Sequence, residues 1–406
     1  MSVAFPTFTT EIRFDAGASS TGFELGTALL GYSTLGAAAT WTDVSSDVRA
    51  ININRGKRRI QDEYNSGTAN VTLDNTARLY DPNNASGTHY GEIKVGRWIR
   101  VKATYDSTDY QLYQGVIREW DFGYNFPNDA IATPRAADFL YDLNNTNVTK
   151  TTSAALSGTV VSEILNEANV IPRDIDAGQE TFQAVSLSGA NALSSIQTAV
   201  RSEGAGLAAF YGDETNQMVY EDRWASSTTT RSNTSQATFG TSSLPCQDIE
   251  LVYAGAEIKN DVTLTRIGGS AQTKTDSDSI DDYGQRSFAQ TGYYNNSDGN
   301  VANIAQGYLD IFKDAELRVN SITLSARAND ALMVQCLSRK IRDRITVTYD
   351  PPPSGTVSAQ YFITGITHQV KPQDLQTTFT LESVTGRSPY WVLGTSELGT
   401  GTKLAF

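Results

Sequence analysis

Ile51-Asn52-Ile53-Asn54, Ala69-Asn70-Val71-Thr72-Leu73, Ile99-Arg100-Val101-Lys102-Ala103 and Leu112-Tyr113-Gln114-Gly115-Val116-Ile117 decide the fold of this chain. These short runs alternate apolar and polar residues. A period of two means that one face of an extended strand is buried and the other is wet. The breaks between runs carry turn chemistry: Asn65-Ser66-Gly67, then Asp81-Pro82-Asn83-Asn84, then Asp106-Ser107-Thr108-Asp109. Asn, Asp, Pro and Gly accept the backbone angles that turns demand. Gly96 permits a tight turn before the third run. Residues 41–120 therefore read as one antiparallel β-barrel or sandwich.

The chain has 406 residues, enough for two or three domains that each bury a core. Tyr, Phe, Thr, Ser, Asn and Gly abound and Lys is scarce, a mix that favours strands and turns over long helices. The formal net charge is −13. Phosphate needs Lys and Arg opposite it, so nucleic-acid binding is not the main source of affinity. DNA in transit is compatible with this charge, because a like-charged wall keeps DNA from sticking. Ordinary solubility accounts for the same charge without any DNA. Cys246 and Cys336 are the two cysteines; they make no disulfide framework and point to folding in a reducing cytoplasm. Met1-Ser2-Val3-Ala4-Phe5-Pro6 has neither the basic nor the apolar segment of a secretory signal. No apolar stretch approaches the roughly 20 residues of a membrane-spanning helix.

Outward from the central stretch, Thr10-Glu11-Ile12-Arg13-Phe14 reads as a strand. Leu25-Gly26, Leu30-Gly31 and Leu35-Gly36 follow at five-residue spacing, the pattern of either an extended, packed arm or a low-complexity linker. Residues 146–250 change character. Val160, Val161, Ile164, Leu165 and Ala168 share one helical face, and Pro172 stops that helix. Leu193, Ile196, Ala199 and Val200 signal a second helix, capped by Ser188 or Asn191 and ended by Gly204 and Gly206. Residues 207–211 and 218–221 form a hairpin turning at Gly212-Asp213-Glu214, and residues 226–236 a polar loop. Strands return beyond 250, interrupted by an amphipathic helix through Val301, Ile304, Ala305, Tyr308, Leu309 and Phe312.

Two segments echo each other. Gly96-Arg97-Trp98-Ile99-Arg100-Val101 precedes Tyr113-Gln114-Gly115-Val116-Ile117, and Arg342-Asp343-Arg344-Ile345-Thr346-Val347 precedes Ile363-Thr364-Gly365-Ile366-Thr367. Sixteen residues separate Ile99 from Gly115 and twenty separate Ile345 from Gly365. The loop Asp350-Pro351-Pro352-Pro353 would absorb the difference. If the echo is a duplication, two similar modules per chain and three chains give six similar units around an axis.

Catalytic chemistry is thin. His89 and His368 are the only histidines, and neither has a neighbour at metal-ligand spacing; strand or turn positions account for both. Gly204-Ala205-Gly206-Leu207-Ala208-Ala209 formally fits a dinucleotide fingerprint, but the predicted helix precedes it instead of following it, so helix termination is the better reading. Asp276, Asp278, Asp281 and Asp282 lack the Gly and Glu that a calcium loop starting at Asp276 requires, and read as a solvated loop. No Gly-x-Ser-x-Gly elbow occurs, and nothing selects one carboxylate pair among 45 acidic residues for glycoside hydrolysis. No catalytic, cofactor-binding or metal-binding residue is assigned.

Asp43-Val44-Ser45-Ser46-Asp47-Val48, Ile53-Asn54-Arg55-Gly56, Ser66-Gly67-Thr68-Ala69, Val71-Thr72-Leu73-Asp74-Asn75, Tyr80-Asp81-Pro82 and Tyr90-Gly91 resemble, in that order, the first tube domain of phage tail-hub proteins, also called baseplate-hub or tail-associated minor tail proteins. Glu257-Ile258-Lys259-Asn260-Asp261-Val262, Asp278-Ser279-Ile280-Asp281-Asp282-Tyr283-Gly284 and the 301–312 helix look like the second tube domain, and residues 192–224 like the middle insert. The resemblance covers about residues 40–385. It implies a mainly β chain with an α+β insert: two tube-type antiparallel β-barrel domains, 41–145 and 251–390, flanking a small α+β domain, 146–250. Residues 1–40 and 391–406 are then arms. It also implies a non-enzymatic homotrimer at the virion tail tip, made in the host bacterial cytoplasm. Such a hub adapts the six-fold tail tube or distal-tail ring to central tip or fibre proteins. It lets the tape measure protein and then DNA pass, without specific DNA binding and without a cofactor. A hexameric distal-tail ring protein, an adapter of a contractile injection system and a secreted β-sandwich carbohydrate-active enzyme or lectin are the alternatives.

Overall fold

The computed structural model describes residues 3–17, 40–57, 63–125, 128–204, 206–241, 243–351 and 355–384. The Leu-Gly steps and residues 391–406 lie outside them. The first half contributes β1 (Thr7–Gly17), β2 (Thr42–Asp43), β3 (Val48–Gly56), β4 (Asn65–Asp74), β5 (Arg97–Tyr105), β6 (Thr108–Asn125) and β7 (Asp129–Ala137). All of their pairings are antiparallel, in the order β3-β4-β7-β6-β5-β1-β2. The four quoted runs are β3, β4, β5 and the middle of β6, each with its apolar positions inward. Asp106 and Ser107 both have positive φ, 47° and 58°, and close β5 onto β6 as a two-residue turn. Asn65-Ser66-Gly67 belongs to β4 and not to a turn.

The middle holds α1 (Phe139–Asn144), β8 (Asn147–Thr151), α2 (Ser157–Glu167), β9 (Arg173–Ile175), β10 (Ser186–Asn191), α3 (Ala192–Glu203), β11 (Ala209–Gly212), β12 (Met218–Glu221), α4 (Ala225–Thr228) and α5 (Thr230–Asn233). The inward faces of α2 and α3 close on Phe182, Phe210, Met218 and Tyr220 in a core of their own. Asn191 caps α3 by accepting from the Ser194 amide at 2.9 Å. Three local expectations are corrected. α2 ends before Pro172, where Asn169 turns to φ 56°. The hairpin turn spans residues 213–217, with Gly212 still in β11. The polar run 226–236 holds two single-turn helices, α4 and α5, and the Thr228 and Thr234 hydroxyls donate to the Trp224 and Thr230 carbonyls.

The second half contributes β13 (Thr238–Gly240), β14 (Asp248–Tyr253), β15 (Asp261–Arg266), β16 (Gln272–Thr275), α6 (Ser277–Tyr283), β17 (Ser287–Tyr293), α7 (Asp298–Phe312), β18 (Leu317–Ser325), α8 (Asp330–Ser338), β19 (Arg344–Tyr349), β20 (Val357–Lys371) and β21 (Asp374–Ser383). α7 covers the small sheet β16-β15-β17 with its own core of Val262, Leu264, Tyr293, Val301 and Phe312. The acidic run expected as a loop is helical: Asp276 caps α6, accepting from the Ser279 amide at 3.0 Å, and pairs with Lys313.

The echo proves deeper than the sequence suggested, and its register differs. In chain order the strands β3, β4, β5, β6, β7 lie as β3-β4-β7-β6-β5, and β14, β18, β19, β20, β21 lie as β14-β18-β21-β20-β19. The two orders are the same. Ile99 pairs with Gly115 and Ile345 with Tyr361, so both hairpins span sixteen residues and the proline-rich loop absorbs nothing. Tyr361, and not Gly365, is the counterpart of Gly115. The halves do not stand apart. β3 pairs with β20, so both belong to one 13-stranded sheet over one large core. No pairing of described strands closes either half on itself.

Candidate functional site

The seam between β3 and β20 is the centre of the molecule. Its register runs from Gly365 opposite Gly56 to Val370 opposite Ile51. Gly56 has φ +92°, and a Cβ there would stand 2.2 Å from the Thr364 carbonyl oxygen; one on Gly365 would stand 2.5 Å from that of Lys57. Two glycines let the backbones close, and the Lys57 amide donates to the Thr364 carbonyl at 2.9 Å. On the inner face Ile51, Ile53, Ile366, His368 and Val370 are buried.

The outer face of the seam is amide and hydroxyl. One row crosses six strands as Arg135, Asn70, Asn52, Gln369, Gln376 and Ser325. The next runs Thr68, Asn54, Thr367, Thr378, Thr323. Neighbours bond along the rows: Thr367 Oγ1 donates to Asn54 Oδ1 at 3.4 Å, and Thr323 and Thr378 share a hydrogen bond of 3.2 Å. This strip carries almost no charge although the chain carries −13. It offers phosphate neither a strong attraction nor a strong repulsion.

Buried ion pairs anchor the insert to the sheet behind the seam. Arg55 on β3 meets Glu214 at 3.4 Å, and Lys340 pairs with the same carboxylate. Burial opposes the charge of Glu214, but Arg55 and Lys340 hold its carboxyl below the ordinary range. Arg342 and Arg231 grip Glu221 at 3.0 and 2.6 Å, and Arg342 also donates to the Leu207 carbonyl at 2.9 Å. Within the sheet itself, Lys57 reaches Glu382 of β21 at 2.7 Å. The groove between insert and sheet is lined by Arg55, Glu214, Glu221, Arg231 and Lys340 together with Asp174, Asp176 and Asp213, so the ion pairs leave it with an excess of carboxylates. Removing one partner would strand a buried charge.

The residues weighed for chemistry are scattered. His368 lies inside the sheet, 3.0 Å from Thr377 Oγ1, where burial pushes its imidazole down to about 3 and keeps it neutral. His89 stacks on Phe14 at 4.0 Å in a turn. Cys246 and Cys336 are both free thiols. Gly204 follows α3 directly, and its sequence neighbours continue into β11. Among the described residues no group of three or more His, Cys, Asp and Glu side chains is placed to hold a metal ion. Among them, too, no helix is long and apolar enough to cross a membrane.

The residue patterns do not mark every element: α1, β8, β10, β17 and α8 carry no clear signal. β7 carries Pro134 opposite Trp120, and proline argues against an interior strand. β6 extends beyond the Leu112–Ile117 run to Asn125, and β14 adds a strand that begins ahead of residue 251. A signal for these two lies in the alternation Trp120-Asp121-Phe122-Gly123-Tyr124 and in the apolar Ile249, Leu251 and Tyr253.

The fold is that of phage tail proteins. The chain is similar to the 43 kDa tail protein of prophage MuSo2 from Shewanella oneidensis, with TM-score 0.60 and 11% identity over 94% of this chain and 98% of that one. It is likewise similar to a tail protein from Neisseria meningitidis MC58, with TM-score 0.57 and 11% identity over 94% and 97%. No family model matches the chain, and no curated protein matches it by sequence.

Proposed function

We propose that the chain is a structural hub protein of a bacteriophage tail tip or baseplate, three copies of which form a ring. The repeated strand order within one sheet carries this proposal. Three chains with two like halves each present six like units, a match for a six-fold tail tube or distal-tail ring on one side and a three-fold tip or fibre on the other. In this arrangement segments 41–145 and 251–390 act as tube modules. The 146–250 insert lies outside the ring; within 1–40, residues 7–17 belong to the sheet as β1, and the rest of 1–40 together with 391–406 reaches neighbours as arms. The uncharged Asn, Gln and Thr strip faces the lumen, where the tape measure protein and then DNA slide past without binding. The function is architectural and asks for no catalytic group or cofactor. The protein is made in the host bacterial cytoplasm and ends in the virion.

Copy number tests this. Quantitative mass spectrometry of purified particles, referenced to a tail protein of known stoichiometry, is expected to give three copies per tail. Six copies would replace the hub with a distal-tail ring protein, and absence from particles would overturn both.

A further inference from the structure

We infer that the free edge of β6 beyond Ile117 pairs with the free edge of β14 in a second copy of this chain, in the register that β20 and β3 use within one copy. This rests on the ring proposed above and names its seam.

The counterpart of each seam strand follows from the repeat. Gly96 and Arg342 both have positive φ, 80° and 73°. Their amides donate to the Ile117 and Ile363 carbonyls at 2.7 and 2.6 Å. β6 then bulges between Ile117 and Glu119, and β20 between Ile363 and Gly365. Residues 119–124 therefore stand where 365–370 stand. Across the sheet, Glu119, Arg135, Asn70 and Asn52 form one row, and Gly365, Thr380, Ser321 and Glu250 form its copy. Glu250 thus occupies the place of Asn52, and Ile249, Leu251 and Tyr253 occupy those of Ile51, Ile53 and Arg55.

The difference lies in what covers them. Inside the chain Ile53 is 0%, His368 1% and Val370 6% exposed, because β3 and β20 cover each other. Of their counterparts, Leu251 and Tyr124 are 41% and 48% exposed and Phe122 is half-buried, and Tyr253, which stands in the place of buried Arg55, is 64% exposed. Among the described residues β14 pairs with β18 alone, and β6 beyond Ile117 with β7 alone. An exposed edge carrying apolar side chains seeks a partner strand. Carrying the internal register over sets Tyr124 opposite Ile249, Phe122 opposite Leu251 and Trp120 opposite Tyr253 of the next copy. On the other face Asp121 meets Val252 and Glu119 meets Ala254, so no like charges stand directly opposite. The contact is head-to-tail, and such contacts build rings when the rotation closes.

Paired cysteines read the register in the full chain with Cys246 changed to Ser. Phe122→Cys with Leu251→Cys is expected to give, on mild oxidation, a covalent species that stops at the trimer on denaturing gels. Tyr124→Cys with Tyr253→Cys, four residues out of register, is expected to give at least tenfold less. Light scattering on the reduced protein separates the failures. A trimer without the 122–251 disulfide overturns this seam and leaves the ring. A monomer at every concentration reached, with no disulfide, overturns the seam and removes the ring as well. Equal cross-linking of both pairs overturns the register.

Discussion

Gly56→Ala probes the join between the two halves. Gly56 sits at φ +92° with the Thr364 carbonyl oxygen 2.2 Å and the Gly365 Cα 2.8 Å from where a Cβ would be. Two costs add. A left-handed backbone angle costs a side-chain-bearing residue about 1–2 kcal/mol. Forcing a methyl into a packed contact costs about 1–3 kcal/mol more. Both neighbours are backbone in a strand paired on each side, so little relief is available. The expected loss is about 3 kcal/mol. Gly91→Ala is the control. Gly91 also has positive φ, +77°, but its Cβ would meet nothing within 4 Å, so only the strain of about 1–2 kcal/mol remains. Urea unfolding followed by tryptophan fluorescence reports on this sheet, since Trp98 lies in β5 and Trp120 in β6. If Gly56→Ala costs no more than Gly91→Ala, the close approach of β3 and β20 is not what holds the halves together.

Three further outcomes follow from buried titratable groups. His368 stays neutral in the fold down to about 3, whereas in the unfolded chain it takes up a proton near pH 6.5. Its contribution to stability is therefore full above pH 6.5 and is lost as the pH falls, by about 1.4 kcal/mol per unit until about pH 3. Asp138 works the other way: burial pushes its carboxyl up to about 6, so stability falls as pH rises from about 4 to 6. The difference between wild type and His368→Gln isolates the first effect, and should move by about 3 kcal/mol between pH 6.5 and 4.5; parallel curves would refute it. Burial also raises the thiols of Cys246 and Cys336 to about 11 and about 12. At pH 8 the native chain should react with a thiol reagent at least a hundredfold more slowly than the urea-unfolded chain, and equal rates would place a thiol in an open, polar setting.

The alternating runs at 51–54, 69–73 and 99–103 settled the strands β3, β4 and β5 by themselves, because burial of one face leaves a local record at every second residue. Helices α2, α3 and α7 were legible for the same reason at helical spacing. The echo between the 96–117 and 342–367 segments was visible too, but its register was not, since matching Gly115 to Gly365 by residue type ignored the hydrogen bonds that pair Ile345 with Tyr361. Pro134 and the alanines around it hid β7, whose place depends on β4 and β6 on either side. Only tertiary structure decided that the halves share one sheet through Gly56 and Gly365. Only tertiary structure, too, left Leu251 and Tyr124 uncovered where Ile53 and Val370 are covered. Strand pairing joins residues more than 300 positions apart, as Thr367 meets Asn54, and no local pattern names a partner that distant. Apolar alternation reports that an edge face prefers burial; which strand supplies it is a property of the folded surface.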